Sequence, residues 1–95
     1  MTYLPIDDVL NKWAVENRLL FSTKYRDEEV RSLDIVSAKG NRYQIWVDMP
    51  TNGSVGVHVW DYNNRRLDLQ VAPKELNAAL DAVLLTAREW MQAED

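Results

Sequence analysis

Ninety-five residues carrying 11 basic and 15 acidic side chains give a net charge of −4 and a pI near 4.9. That length makes one domain burying roughly two thirds of its unfolded surface, and a composition 46% hydrophobic and 27% charged belongs to a folded globular chain, not a disordered one. With no cysteine, disulfides, thiolate metal sites and cysteine nucleophiles are excluded, and a reducing compartment fits.

The basic residues are scattered, and only Arg65 and Arg66 are adjacent. Nucleic-acid binders need a basic stripe to displace counterions, so direct nucleic-acid contact is not expected. A basic protein partner suits the acidic balance better. The opening Met1-Thr2-Tyr3-Leu4-Pro5-Ile6-Asp7-Asp8 lacks the basic-then-apolar order of a signal peptide. No apolar run approaches the ~20 residues of a membrane helix, so no membrane contact is expected and cytosol is the expected compartment.

In chain order, Pro5 at a first helical turn and Asp7 and Asp8 beside the positive helix end predict a helix through about Arg18. Ile6, Val9, Leu10, Trp13 and Ala14 follow the spacing of an apolar stripe, which places Trp13 in the core. Beyond it the period changes to two. Phe21 to Tyr25 is a short strand candidate, followed by the charged turn Arg26-Asp27-Glu28-Glu29 and a strand from Arg31 to Ala38 with Leu33 and Ile35 inward. Lys39-Gly40-Asn41 is turn chemistry. Two strands follow, Tyr43 to Met49 and Val55 to Tyr62, joined by Pro50 to Ser54. After a turn at Asn63-Asn64, the segment Arg66 to Val71 points Leu67, Leu69 and Val71 inward. Pro73 then opens a helix running to about Met91, with Leu76, Leu80, Val83, Leu84, Ala87, Trp90 and Met91 as its stripe. Short links between consecutive strands imply antiparallel neighbours. The expected fold is α/β of the α+β type: a five-stranded antiparallel meander with N- and C-terminal helices packed on one face.

Strand parity leaves a second, outward surface. Tyr43, Ile45, Val47 and Met49 share one side and Gln44, Trp46 and Asp48 the other. Likewise, Val55, Val57 and Val59 oppose His58, Trp60 and Tyr62. If Met49 pairs with Val55, Trp46 sits opposite His58 and Gln44 opposite Trp60. A two-residue loop at Asn63-Asn64 would set outward Trp60 against inward Leu67. A three-residue loop, Tyr62-Asn63-Asn64, restores parity, with an asparagine in the left-handed position; Trp60 then faces Arg66 and His58 faces Asp68. The same treatment of Lys39-Gly40-Asn41 sets Asp34 opposite Trp46. The expected outer surface is Asp34, Val36, Gln44, Trp46, Asp48, His58, Trp60, Arg66 and Asp68, with Tyr62 at its margin. A Trp60–Arg66 cation–π contact is expected, worth roughly 0.5–1 kcal/mol. Trp, Tyr and Arg are the residues most enriched at interface hot spots. Cross-strand aromatic pairs also stabilise sheets on their own account, by about 0.2–1 kcal/mol each.

Catalytic chemistry is sparse. His58, the only histidine, lies near Asp48 and Asp68 and is the one candidate general base, but no serine stands in a recognisable nucleophile setting. One histidine with scattered carboxylates lacks zinc-ligand spacing, so no metal or cofactor is expected. Asn52-Gly53-Ser54-Val55-Gly56 joins strand to strand, whereas phosphate loops lead into a helix N-terminus.

Two family resemblances accompany these readings. The segment Leu76 to Trp90, with its leucines, a small residue and a late tryptophan, resembles the closing helix of bacterial class I secretion chaperones. That likeness implies a dimeric, effector-binding adaptor. The overall build is similar to small bacterial immunity proteins of toxin–immunity systems, acidic and cysteine-poor chains of about this size. This second likeness implies a non-enzymatic protein whose sheet face occupies a toxin, with Asp34, Gln44, Trp46, Asp48, His58, Trp60, Tyr62, Arg66 and Asp68 as the partner-binding residues. The expected partner is a protein, in the second case a basic toxin domain, met by a monomer or homodimer. An enzyme using His58 is the third reading.

Overall fold

The computed structural model describes residues 2–94. Helix α1 spans Leu4–Glu16, with Pro5 in its first turn, where a missing N–H is harmless, and it buries Ile6, Leu10, Trp13 and Ala14. It ends at Asn17, whose side-chain amide donates to the Trp13 carbonyl at 2.8 Å, and Arg18 turns the chain with φ 59°. The strands are β1 (Ser22–Tyr25), β2 (Glu28–Val36), β3 (Arg42–Val47), β4 (Val55–Trp60) and β5 (Arg66–Val71). Every sequential pair is antiparallel, so the sheet is a five-stranded meander in chain order. A 3₁₀ turn, Pro73–Glu75, leads into α2, Leu76–Gln92.

One hydrophobic cluster joins the helix stripes to the sheet. Ile45, Val55, Val57 and Val59 from the strands and Ile6, Leu10, Leu76, Leu80 and Val83 from the helices are all essentially sealed from solvent. The helices are also tied together by Trp13, whose indole N–H donates to Asp81 at 2.9 Å. Trp90 is only half-buried; it lies against Tyr43, and the Arg65 guanidinium sits 5.3 Å from its ring centre. No helix of the described residues is long and apolar enough to cross a membrane.

Strand β2 begins three residues before the predicted Arg31, because Glu28 and Glu29 pair with Tyr25 and Lys24 and leave Arg26-Asp27 as the turn. Arg31, two residues before Leu33, points to the inner face with it. Its guanidinium donates from Nε and Nη2 to the two carboxylate oxygens of Asp7 at 2.8 and 3.0 Å, from Nη2 to Glu29 at 3.0 Å, and from Nη1 to the Val30 carbonyl at 2.7 Å. The Tyr3 ring stacks on it at 4.3 Å, and the Tyr3 hydroxyl donates to the Val47 carbonyl at 2.9 Å. This clamp fastens the start of α1 to the β1–β2 end of the sheet.

The register of β2 on β3 differs from expectation by two residues. Asp34 faces Gln44, and Ser32 takes the predicted place of Asp34 opposite Trp46. The reason lies in the turn. Ser37 pairs with Asn41, so the three-residue loop is Ala38-Lys39-Gly40, with Gly40 third at φ 85°. Three-residue hairpin loops want their left-handed residue last, and glycine fills that position without strain. Centring the loop on the glycine instead shifts the pairing while preserving parity.

Candidate functional site

The remaining hairpins follow the parity argument. Trp46 faces His58, Gln44 faces Trp60, His58 faces Asp68 and Trp60 faces Arg66. The outer face is therefore a grid. One row across β2 to β5 reads Asp34, Gln44, Trp60, Arg66, and the next reads Ser32, Trp46, His58, Asp68. Asp48 follows β3 and donates its backbone N–H to the Gly56 carbonyl at 2.9 Å, which extends the grid one step further.

His58 is the centre of this surface. Its ring stacks on Trp46 with centroids 4.6 Å apart and planes 15° from parallel. Its Nδ1 lies 2.5 Å from an Asp68 oxygen and its Nε2 2.7 Å from an Asp48 oxygen. The ring therefore bridges two carboxylates, one at each nitrogen. Arg66 adds a further charge: its Nε donates to both Asp68 oxygens at 2.9 and 3.1 Å, and its guanidinium carbon sits 5.0 Å from the Trp46 ring centre. The expected Trp60–Arg66 contact is thus replaced by a diagonal one, since a long side chain tethered to Asp68 reaches the neighbouring row. The bond from His58, reinforced by Arg66, holds the Asp68 carboxyl below its ordinary range.

Trp60 instead meets Tyr62, with ring centres 4.7 Å apart. Tyr62 donates its hydroxyl to Asp34 at 2.6 Å, and Arg42 donates to the other Asp34 oxygen at 2.8 Å. The loop after β4 is the predicted Tyr62-Asn63-Asn64, closed by the Asp61 N–H donating to the Arg65 carbonyl at 3.1 Å. The left-handed residue, however, is Tyr62 at φ 64°, and no asparagine in the loop takes that conformation. A tyrosine there costs on the order of 1–3 kcal/mol and persists only where surrounding contacts over-determine it. Here the ring on Trp60 and the hydroxyl on Asp34 supply them. Asp61 also accepts from the backbone N–H groups of Asn63 and Arg65 at 2.9 and 3.0 Å, which fixes the loop.

Gly56 is a site residue that strand parity places on this face but that the sequence reading, which set it within the strand from Val55, did not count among the outer residues. A side chain there would run into Asp48 Oδ2 and come within 2.9 Å of His58 Nε2, so glycine makes room for the Asp48–His58 contact. Its signal is a glycine at an outward strand position, which marks close approach of another group. Gly56→Ala is expected to expel the Asp48 carboxylate from His58 while changing stability by less than about 1 kcal/mol. Ordinary strand gain over glycine offsets part of the displacement. Nitrogen NMR of the imidazole, read beside a urea melt, checks both halves.

Two tyrosines carry the alkaline behaviour. Burial, then the neighbouring carboxylate (Glu94 for Tyr43, Asp34 for Tyr62), pushes each hydroxyl up to about 12. Because the folded values lie above the unfolded value near 10, their stabilisation is complete below pH ~10 and is lost as pH rises toward 12. Urea midpoints taken across that window should fall, and Tyr43→Phe with Tyr62→Phe should flatten the fall.

The arrangement accounts for every predicted partner-binding residue by position: Asp34, Gln44, Trp46, Asp48, His58, Trp60, Tyr62, Arg66 and Asp68 share one outer face, with Ser32, Arg42 and Gly56 added to it. Among the described residues, no group of three or more acidic or histidine side chains is placed to hold a metal ion. Comparison of the chain with known family models, with curated proteins and with solved structures finds no match.

Proposed function

We propose that the outer face of the sheet is a protein-binding surface and that the chain is a non-enzymatic binding module. In its most concrete form it is an immunity protein of the bacterial cytosol that neutralises a cognate toxin. The observation that carries this reading is the ordered state of half-buried aromatics the core does not need. Trp46 is held between His58 and Arg66, and Trp60 is held by Tyr62. Side chains already fixed lose little rotamer freedom when a partner arrives, so more of their contact energy appears as affinity. Tryptophan, tyrosine and arginine are the residues on which such affinity concentrates. His58 supports the same reading, because both its nitrogens are engaged by carboxylates and it serves to set the aromatic surface. The net charge of −4 favours steering toward a basic domain.

The test begins with the neighbouring gene. An immunity protein is encoded directly downstream of a large toxin gene, and the purified chain should bind that toxin's C-terminal domain and abolish its activity. A neighbouring secreted effector bound through its N-terminal region by a dimer of this chain would replace the reading with a chaperone. Turnover of a substrate that His58→Ala abolishes without unfolding would replace it with an enzyme.

A further inference from the structure

The outer face has two electrostatically different halves. On β4 and β5 Asp68 is paired with His58 and Arg66, and across β2 and β3 Asp34 is held by Arg42 and Tyr62. Toward β1 and β2 lies a groove of about 570 Å³, within the size range of ligand clefts. Its walls include Tyr25, Glu28, Ser32, Trp46, Asp48 and Tyr62. Its carboxylates are Glu28, Glu29 and Asp48, and its one cation is Arg31, which is buried and already bonded to Asp7 and Glu29. Glu28 has no ion-pair partner among the described residues. The groove therefore presents negative charge between aromatic rings.

We infer that this groove accepts a cationic side chain, arginine or lysine, from a basic segment of the partner. The inference rests on the reading of the outer face as the binding surface. The occupant follows from charge and ring chemistry together. Glu29 is held by Arg31 and Asp48 by His58, but Glu28, left without a counter-charge, favours a cation and repels an acidic segment, and aromatic faces attract a guanidinium or ammonium through their quadrupole. The rings display that preference within the molecule itself. Arg26 lies over Tyr25, Arg42 over Tyr62 and Arg66 over Trp46 at 5.3, 5.6 and 5.0 Å. These ring faces already carry the chain's own arginines, as Tyr3 carries Arg31 at 4.3 Å, so Glu28 is the group that places an incoming cation in the groove.

The experiment titrates the ¹⁵N-labelled chain with an acetylated, amidated Gly-Ser-Arg-Ser-Gly peptide, and in parallel with peptides carrying citrulline or glutamate in place of the arginine. The arginine peptide should shift the Trp46 indole N–H and the Glu28 and Ser32 amides. The citrulline peptide should bind at least about tenfold more weakly, because it keeps the shape and loses the charge. Glu28→Gln should weaken the arginine peptide by about three- to tenfold with the Trp60 and His58 signals unmoved. Equal shifts with citrulline, shifts confined to Trp60, His58 and Asp68, or no shift at all would overturn the groove assignment. A protein partner whose affinity falls in Trp60→Ala but is unchanged in Glu28→Gln would likewise overturn the groove and leave the binding face standing. A partner indifferent to both Trp46→Ala and Trp60→Ala would overturn the face itself.

Discussion

Trp46→Ala should weaken partner binding by about 30- to 1,000-fold, equivalent to roughly 2–4 kcal/mol, while the chain stays folded. The size of the effect follows from the place of Trp46 in the grid. It is central in its row, it supports the His58 ring at 4.6 Å, and it receives the Arg66 guanidinium at 5.0 Å. Removing it releases both neighbours, so a partner meets a mobile surface where an ordered one stood. Stability should drop by only about 1 kcal/mol, the worth of a cross-strand aromatic pair with an exposed cation–π contact. Its strand neighbours Ile45 and Val47 point to the other side and stay sealed in the core. Calorimetric titration and a thermal melt on the same preparation separate the two effects. A melting temperature lowered by roughly 4–8 °C is the expected companion of the binding loss.

Arg31→Met should be the most destabilising single change outside the apolar core, at about 3 kcal/mol. The residue is only 7% exposed. It holds Asp7 through two parallel bonds and Glu29 through a third. Its loss leaves the partly buried Asp7 carboxylate without a counter-charge, and that uncompensated charge dominates the cost. Methionine replaces some of the packing against Tyr3 but none of the charge. Arg31→Lys should recover only part, because a single ammonium cannot make the paired contact with both Asp7 oxygens or stack on the Tyr3 ring as a planar group does. Urea denaturation of the three proteins gives the order wild type, lysine variant, methionine variant. Partner contacts at Trp60, measured below the transition, should be little changed, whereas the groove, which Arg31 and Glu29 line, is altered.

The elements and most of the outer face were legible because strand parity is a strict rule. Once Met49 was set against Val55, the pairings of Trp46 with His58 and Gln44 with Trp60 followed without further choice. The three-residue loop at Tyr62 followed from the requirement that outward residues face outward ones. Parity is blind to shifts of two, which is why Asp34 was placed opposite Trp46 and is found opposite Gln44. Recognising that Gly40 must occupy the last loop position would have resolved it. The left-handed Tyr62 was not legible, because local preference points to asparagine and only contacts with Trp60 and Asp34 reverse it. Nor was the Arg66–Trp46 contact, since parity orders Cα positions and a long side chain reaches beyond its own row. Arg31 was legible as an inward-facing arginine by its parity with Leu33 and Ile35, yet its partner Asp7 lies 24 residues away on another element.

The central claim is that this ordered outer face is where the protein meets its partner. The most direct measurement is the affinity of the neighbouring toxin domain for the wild-type chain and for the Trp46→Ala, Trp60→Ala double variant, with the fold of each followed by circular dichroism. The account predicts a folded double variant whose affinity is at least about 100-fold lower. A folded double variant that binds as tightly as wild type would contradict it.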